Sequence, residues 1–186
     1  MKRIVLFVLG SCFALAAQNV QASCGRVGPY TLGIIDWYEY GPDASCWVKS
    51  TGPPAATYFT NSCNGEGAFN FPYEGVSTAY YEFVVESTNV FALWNVDARI
   101  NFDDPNNNSF NQLKITAKVT HNGTPTTTTL FLFNGGSGDL SCYDAQYLSF
   151  SAVAGDTVRI TIEGRNWFNN TVMQVTVPRV INSNIW

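Results

Sequence analysis

From about Tyr80 onward, apolar and polar residues alternate with a period of two. Val96, Ala98, Ile100 and Phe102 alternate with Asp97, Arg99 and Asn101, and Leu113, Ile115, Ala117 and Val119 alternate with Lys114, Thr116, Lys118 and Thr120. Successive side chains of a strand point to opposite sides of its sheet, so this spacing gives each strand one buried and one wet face. Val158, Ile160 and Ile162 repeat the pattern, and Ala154-Gly155-Asp156 just before them predicts a hairpin with a strand over residues 147–151. The adjacent apolar residues Leu130-Phe131-Leu132-Phe133 predict that the strand over 127–133 is central and covered on both faces. A last strand is predicted over 171–177, stopped by Pro178, and the tail from Val180 has no clear period.

Asn122-Gly123, Asn134-Gly135-Gly136, Gly155-Asp156 and Asn169-Asn170 supply turns between these runs, and no segment of helical spacing lies between them. The pattern predicts an all-β fold, an antiparallel two-sheet sandwich of jelly-roll-like or immunoglobulin-like type. Residues 23–75 differ from the main strand region 76–180. They hold Cys24, Cys46 and Cys63 together with Gly52-Pro53-Pro54, and read as a loop-rich, disulfide-stapled N-terminal portion with one strand through 30–40.

The start of the chain changes how the cysteines are counted. Met1-Lys2-Arg3, the apolar run from Ile4 to Ala17, and the small residues Val20 and Ala22 form the three parts of a secretory signal over 1–22. Its apolar run is too short to cross a bilayer, and no later one is long enough. Removing the signal leaves 186 − 22 = 164 residues, one ordinary domain over 23–186. Cys12 leaves with it, so Cys24, Cys46, Cys63 and Cys142 remain to form two disulfides in an oxidising compartment, with three pairings open. Lys2 and Arg3 leave too, giving a net charge of 8 − 14 = −6, a poor match to nucleic acid or anionic lipid. The expected location is extracellular, or the periplasm or cell surface of a bacterium.

Candidate chemistry is sparse. His121 is the one histidine, sits in the turn Thr120-His121-Asn122-Gly123, and reads as an exposed turn residue. No Cys-x-x-Cys or His-x-x-x-His spacing suggests zinc. Glu66, Glu74, Glu82, Glu86, Asp97 and Glu163 could supply the acid pair of a small carboxylate hydrolase, but no spacing selects a pair. Asp103, Asp104, Asn106 and Asn108 make calcium the candidate cofactor, because Asp104, Asn106 and Asn108 repeat at the one-three-five spacing of its oxygen ligands. An EF-hand is excluded: the expected glycine is missing, and Ile115 stands where the twelfth ligand would be. The alternative is an Asp/Asn-rich turn.

Aromatic residues supply the remaining candidates. Asp36-Trp37-Tyr38-Glu39-Tyr40 and Arg165-Asn166-Trp167-Phe168-Asn169-Asn170 mix rings with hydrogen-bonding side chains. A ring stacks on the apolar face of a pyranose while amides and charged groups bond its hydroxyls. Trp37, Tyr38, Tyr40, Trp167 and Asn166 are therefore the candidate ligand-binding residues, whereas Trp47 and Trp94 are assigned to the core. The sequence thus points to a secreted, non-catalytic binding module whose partner is an extracellular glycan or a surface protein. A self-assembling adhesion subunit and the carboxylate hydrolase are the alternatives.

Overall fold

The computed structural model describes residues 24, 26–32, 35–41, 43–51, 55–60, 67–86, 93–168 and 170–184, so the signal segment lies outside it. Among these residues the chain forms strands β1 (Arg26–Leu32), β2 (Ile35–Tyr40), β3 (Val48–Lys49), β4 (Thr57–Thr60), β5 (Gly67–Asn70), β6 (Gly75–Val84) and β7 (Leu93–Asp103). They continue as β8 (Gln112–His121), β9 (Thr124–Asn134), β10 (Leu140–Phe150), β11 (Thr157–Asn166), β12 (Val172–Thr176) and β13 (Arg179–Asn184). The 3-10 turns Ala44–Cys46 and Gly135–Ser137 are the helical pieces among the described residues.

Two antiparallel sheets face each other, as the alternation predicts. One runs β1-β2-β13-β7-β12-β5-β4 with β10 on the other edge of β7, and the second runs β3-β6-β11-β8-β9. β12 and β13 lie end to end along one edge of β7, opposite Ile100 to Asp103 and Leu93 to Asp97 respectively. Pro178 separates them because it has no N–H for the ladder. In the gap, the Arg99 N–H donates to Thr176 Oγ1 at 2.8 Å.

The structure corrects four expectations. The turn after Phe150 does not make a hairpin: β10 pairs with β7 in one sheet, and β11 pairs with β6 and β8 in the other. Phe150 stacks on Trp94 at 5.8 Å while Val158, Ile160 and Ile162 fill the core from the facing sheet, so the turn crosses the sandwich. β9 is an edge strand rather than a central one, because its polar run over 124–129 cannot be buried on both faces. The tail beyond Val180 is β13, whose alternation is masked because Val180 and Asn182 are both buried. The N-terminal portion is richer in strand than its glycines and prolines suggest, with β1 to β5 all lying before Tyr73.

The core is a run of touching rings. Tyr40, Phe83, Trp94 and Phe150 follow one another at centroid distances of 4.6, 5.5 and 5.8 Å, and Trp47 packs on Phe69 and Tyr81 at 5.4 and 5.8 Å. Trp47 and Trp94 are buried as expected. The Cys24–Cys46 disulfide ties the entry of β1 to the 3-10 turn after β2. Cys142 is disulfide-bonded as well, and Cys63 lies outside the described residues.

Tyr81 joins this staple to the core, its hydroxyl donating to the Cys24 carbonyl. Burial pushes its phenol up from 10.0 to about 12. Above pH 10 the unfolded chain loses this proton while the folded chain keeps it, so stability is full below pH 10 and falls as pH rises toward 12. Denaturant titrations across that window should show a loss of about 2–3 kcal/mol attributable to this group. The difference between the wild type and Tyr81→Phe isolates it, and equal losses in both proteins would refute the assignment.

Candidate functional site

Four connections meet at one end of the sandwich: 71–74, 104–111, 135–139 and the segment after β11. Their frame is built around Asp104, which is buried. Its Oδ1 accepts from the Asn106 N–H at 3.1 Å and the Thr171 hydroxyl at 3.5 Å, and its Oδ2 accepts from the Asn108 N–H and Asn111 Nδ2 at 2.9 Å each. Its own N–H donates to Asp139 Oδ1 at 2.9 Å. Buried Asn111 carries the network onward: Nδ2 also donates to Thr171 Oγ1 at 3.0 Å, Oδ1 accepts from the Trp167 N–H at 2.8 Å, and its carbonyl accepts from the Gly135 N–H at 3.0 Å. Gly135 is needed because a Cβ there would overlap Asp104 Oδ2 and lie 2.7 Å from the Asn108 carbonyl.

Four rings stand exposed on this frame: Phe110 at 72%, Trp167 at 50%, Tyr73 at 43% and Phe168 at 36%. Exposed Asn106, Asn107 and Asn170 lie on the same connections. A buried, satisfied network thus holds up an aromatic rim edged with amides, able to stack on a ring-shaped ligand and bond its hydroxyls.

Of the predicted ligand-binding residues, Trp167 is on this rim. Asn166 is not available beside it: it is buried, and its amide donates to the carbonyls of Phe71 at 3.2 Å and Thr171 at 3.3 Å. Tyr40 is buried between Phe83 and Trp94, and Tyr38 packs half-buried against the core, because both fall on inward positions of β2. Trp37 pairs in backbone register with Tyr30 and Ser183, level with Leu93 and so at the far end of β7 from Asp104; its side chain lies outside the described residues. The backbones of Trp37 and Trp167 therefore lie at opposite ends of the sandwich. Phe168 belongs to the aromatic cluster around Trp167, whereas Phe110 and Tyr73 carry no such signal in the sequence, although each lies next to a turn and outside any alternating run.

The predicted calcium ligands do not form a cation shell. Calcium needs oxygens free to face it, whereas both Asp104 oxygens accept hydrogen bonds and Asn108 Oδ1 accepts from the Phe110 N–H at 3.0 Å. Asp103 is exposed, and Asn106 takes part through its backbone N–H. Among the described residues no group of three or more His, Cys, Asp or Glu is placed to hold a metal. Of the acids considered for hydrolysis, Glu82 pairs with Arg159 at 2.7 Å and Glu163 with Arg165 at 2.8 Å. Asp97 lines a small polar dip of about 60 Å³ with Arg99, Asp144 and Arg179. Glu66 lies outside the described residues.

Fold and site together define an antiparallel β-sandwich presenting an aromatic rim at one end. No protein-family model matches the sequence, and no curated protein matches it. Among solved structures the chain is similar to TmCBM61 in complex with β-1,4-galactotriose, at 14% identity over 75% of this chain and 90% of that one, with a TM-score of 0.46. It is also similar to the xylan-binding module CBM15, at 16% identity over 78% and 95%, with a TM-score of 0.45. A third is the CBM22-1–GH10 part of the Clostridium thermocellum endo-1,4-β-D-xylanase 10B complexed with xylohexaose, at 10% identity over 77% and 27%, with a TM-score of 0.49. Likenesses at this level assign neither a ligand nor a residue role.

Proposed function

We propose that the chain is a secreted, non-catalytic module that binds carbohydrate through the rim of Tyr73, Phe110, Trp167 and Phe168. The observation that carries this is Trp167, half exposed yet fixed by a backbone hydrogen bond to a buried asparagine. Tryptophan is usually covered by its own fold, and the core here is complete without it. A backbone fixed in advance lowers the ordering cost that a mobile loop would bear on binding. Secretion is supported by the signal over 1–22.

Trp167→Ala and Phe110→Ala should each weaken binding to an oligosaccharide and polysaccharide panel by about tenfold or more, the effect of losing one stacking anchor. Both side chains are exposed, so stability should move by less than about 0.5 kcal/mol. Isothermal titration or affinity electrophoresis reads the first effect and urea unfolding the second. Unchanged affinity in both variants would remove the rim from the function, and a wild type that binds nothing on the panel would remove the ligand class.

A further inference from the structure

The end of the sandwich opposite the rim departs from the pattern that builds the rest of it. Inward positions of β6, β7, β8 and β11 are mostly apolar, but the β9 residues paired with Val119 and Ala117 are Thr126 and Thr128, both exposed. Residues 124–129 show no alternation, so nothing in them specifies a core face. An open cleft of about 600 Å³ lies here between β9 and the turn over 151–156. That volume is typical of small-molecule sites.

The two walls differ. Thr126 and Thr128 line one side with hydroxyls, while the other sets Ala152 and exposed Val153 beside the hydroxyls of Ser149 and Ser151, over the edge of buried Phe150. At the mouth, His121 Nδ1–H donates to Asp156 Oδ1 at 2.6 Å, the carboxylate being an acceptor only. The Asp156 side chain is 5% exposed, and its other oxygen accepts from the Val153 N–H at 2.9 Å. Asn122 Nδ2 donates to His121 Nε2 at 3.0 Å. The acid is thus satisfied within the protein, and among the described residues no Lys or Arg lines the cleft, so an ion finds no complementary charge there. A wholly apolar guest would strip the threonine hydroxyls of water without replacing it.

We propose that this cleft is a second binding site, for one neutral sugar ring, with hydroxyls against Thr126 and Thr128 and its apolar face on Ala152 and exposed Val153. The assignment rests on carbohydrate being the ligand class, as in the reading of the rim. His121 is the chain's one histidine, so its imidazole gives a single NMR signal at the cleft mouth. The full chain is titrated with glucose, galactose, xylose and mannose, with their methyl glycosides, with oligosaccharides, and with indole as an apolar control.

At least one sugar should move the His121 signal saturably, with a Kd in the millimolar range. Trp167→Ala should keep that response. Thr128→Trp, which fills the cleft, should weaken it at least about tenfold, and the gentler Thr128→Val by about fivefold. A silent His121 signal alongside Trp167-dependent oligosaccharide binding overturns the cleft and leaves the rim reading standing. Binding nowhere overturns both, and a shift with indole but with no sugar overturns the ligand class assigned to the cleft.

Discussion

Replacing Asp104 by alanine should cost about 2–4 kcal/mol of folding stability, because it removes the acceptor of one buried and three part-buried donors at once. The carboxylate takes the N–H groups of Asn106 and Asn108, the amide of Asn111 and the hydroxyl of Thr171. Hydrogen bonds to a charged acceptor are roughly twice as strong as neutral ones, and each donor left buried without a partner costs about 1–3 kcal/mol. Asp104→Asn should fall between wild type and alanine, since one oxygen survives but an NH2 then faces the remaining donors. Urea unfolding followed by tryptophan fluorescence measures both. A loss below about 1 kcal/mol for the alanine variant would mean that water restores the network. Since the Trp167 backbone hangs from Asn111, the same variant should lose rim binding, unlike a simple truncation of an exposed ring. Chelation should leave the wild-type melting temperature unchanged, because protein donors already close this loop; a chelator-dependent fall would put a cation back in it.

What the sequence made legible, and what it did not, follows from the range of the forces involved. Alternation in β7, β8 and β11 is a local consequence of one buried face per strand, so both the sandwich class and the inward residues could be read directly. Pairing is not local. The turn chemistry of Gly155-Asp156 is the same whether the chain returns to its own sheet or crosses to the facing one, and only the packing of Phe150 on Trp94 decides. The rim was half legible: Trp167 stands out beside Asn169-Asn170, whereas Phe110 reads as an ordinary apolar residue until Asn111 is seen to be the hub of the network. The spacing of Asp104 to Asn106 and Asn108 does matter, but as an Asx-type turn taking backbone N–H groups rather than as a ligand set. Tyr40 falls on the same inward face of β2 as Tyr38, and Asn166, between exposed Arg165 and Trp167, turns inward at the end of β11. His121 is a turn residue, as its neighbours predict, yet Asp156 lies 35 residues away and nothing in either neighbourhood announces their contact.

The other large effect should come from Trp94→Ala, and it should fall unevenly on the two ends of the molecule. Trp94 is fully buried, with Tyr40, Phe83 and Phe150 at centroid distances of 5.3, 5.5 and 5.8 Å. Truncating a buried tryptophan typically costs about 3–5 kcal/mol in lost transfer energy and residual cavity. Trp94→Phe keeps most of the ring contacts and should cost roughly half as much. The indole N–H also donates to the Ala152 carbonyl at 3.3 Å, so its loss releases the turn that carries Val153 and Asp156. Amide hydrogen exchange over 151–156 should therefore accelerate more than exchange over 104–111, which is tied down by Asp104 and Asn111 instead. In Trp94→Ala the His121 signal should broaden or shift while binding at the Trp167 rim persists in whatever fraction remains folded. Equal acceleration at both ends would mean that the sandwich opens as one cooperative unit, and that the cleft and the rim are not independently supported.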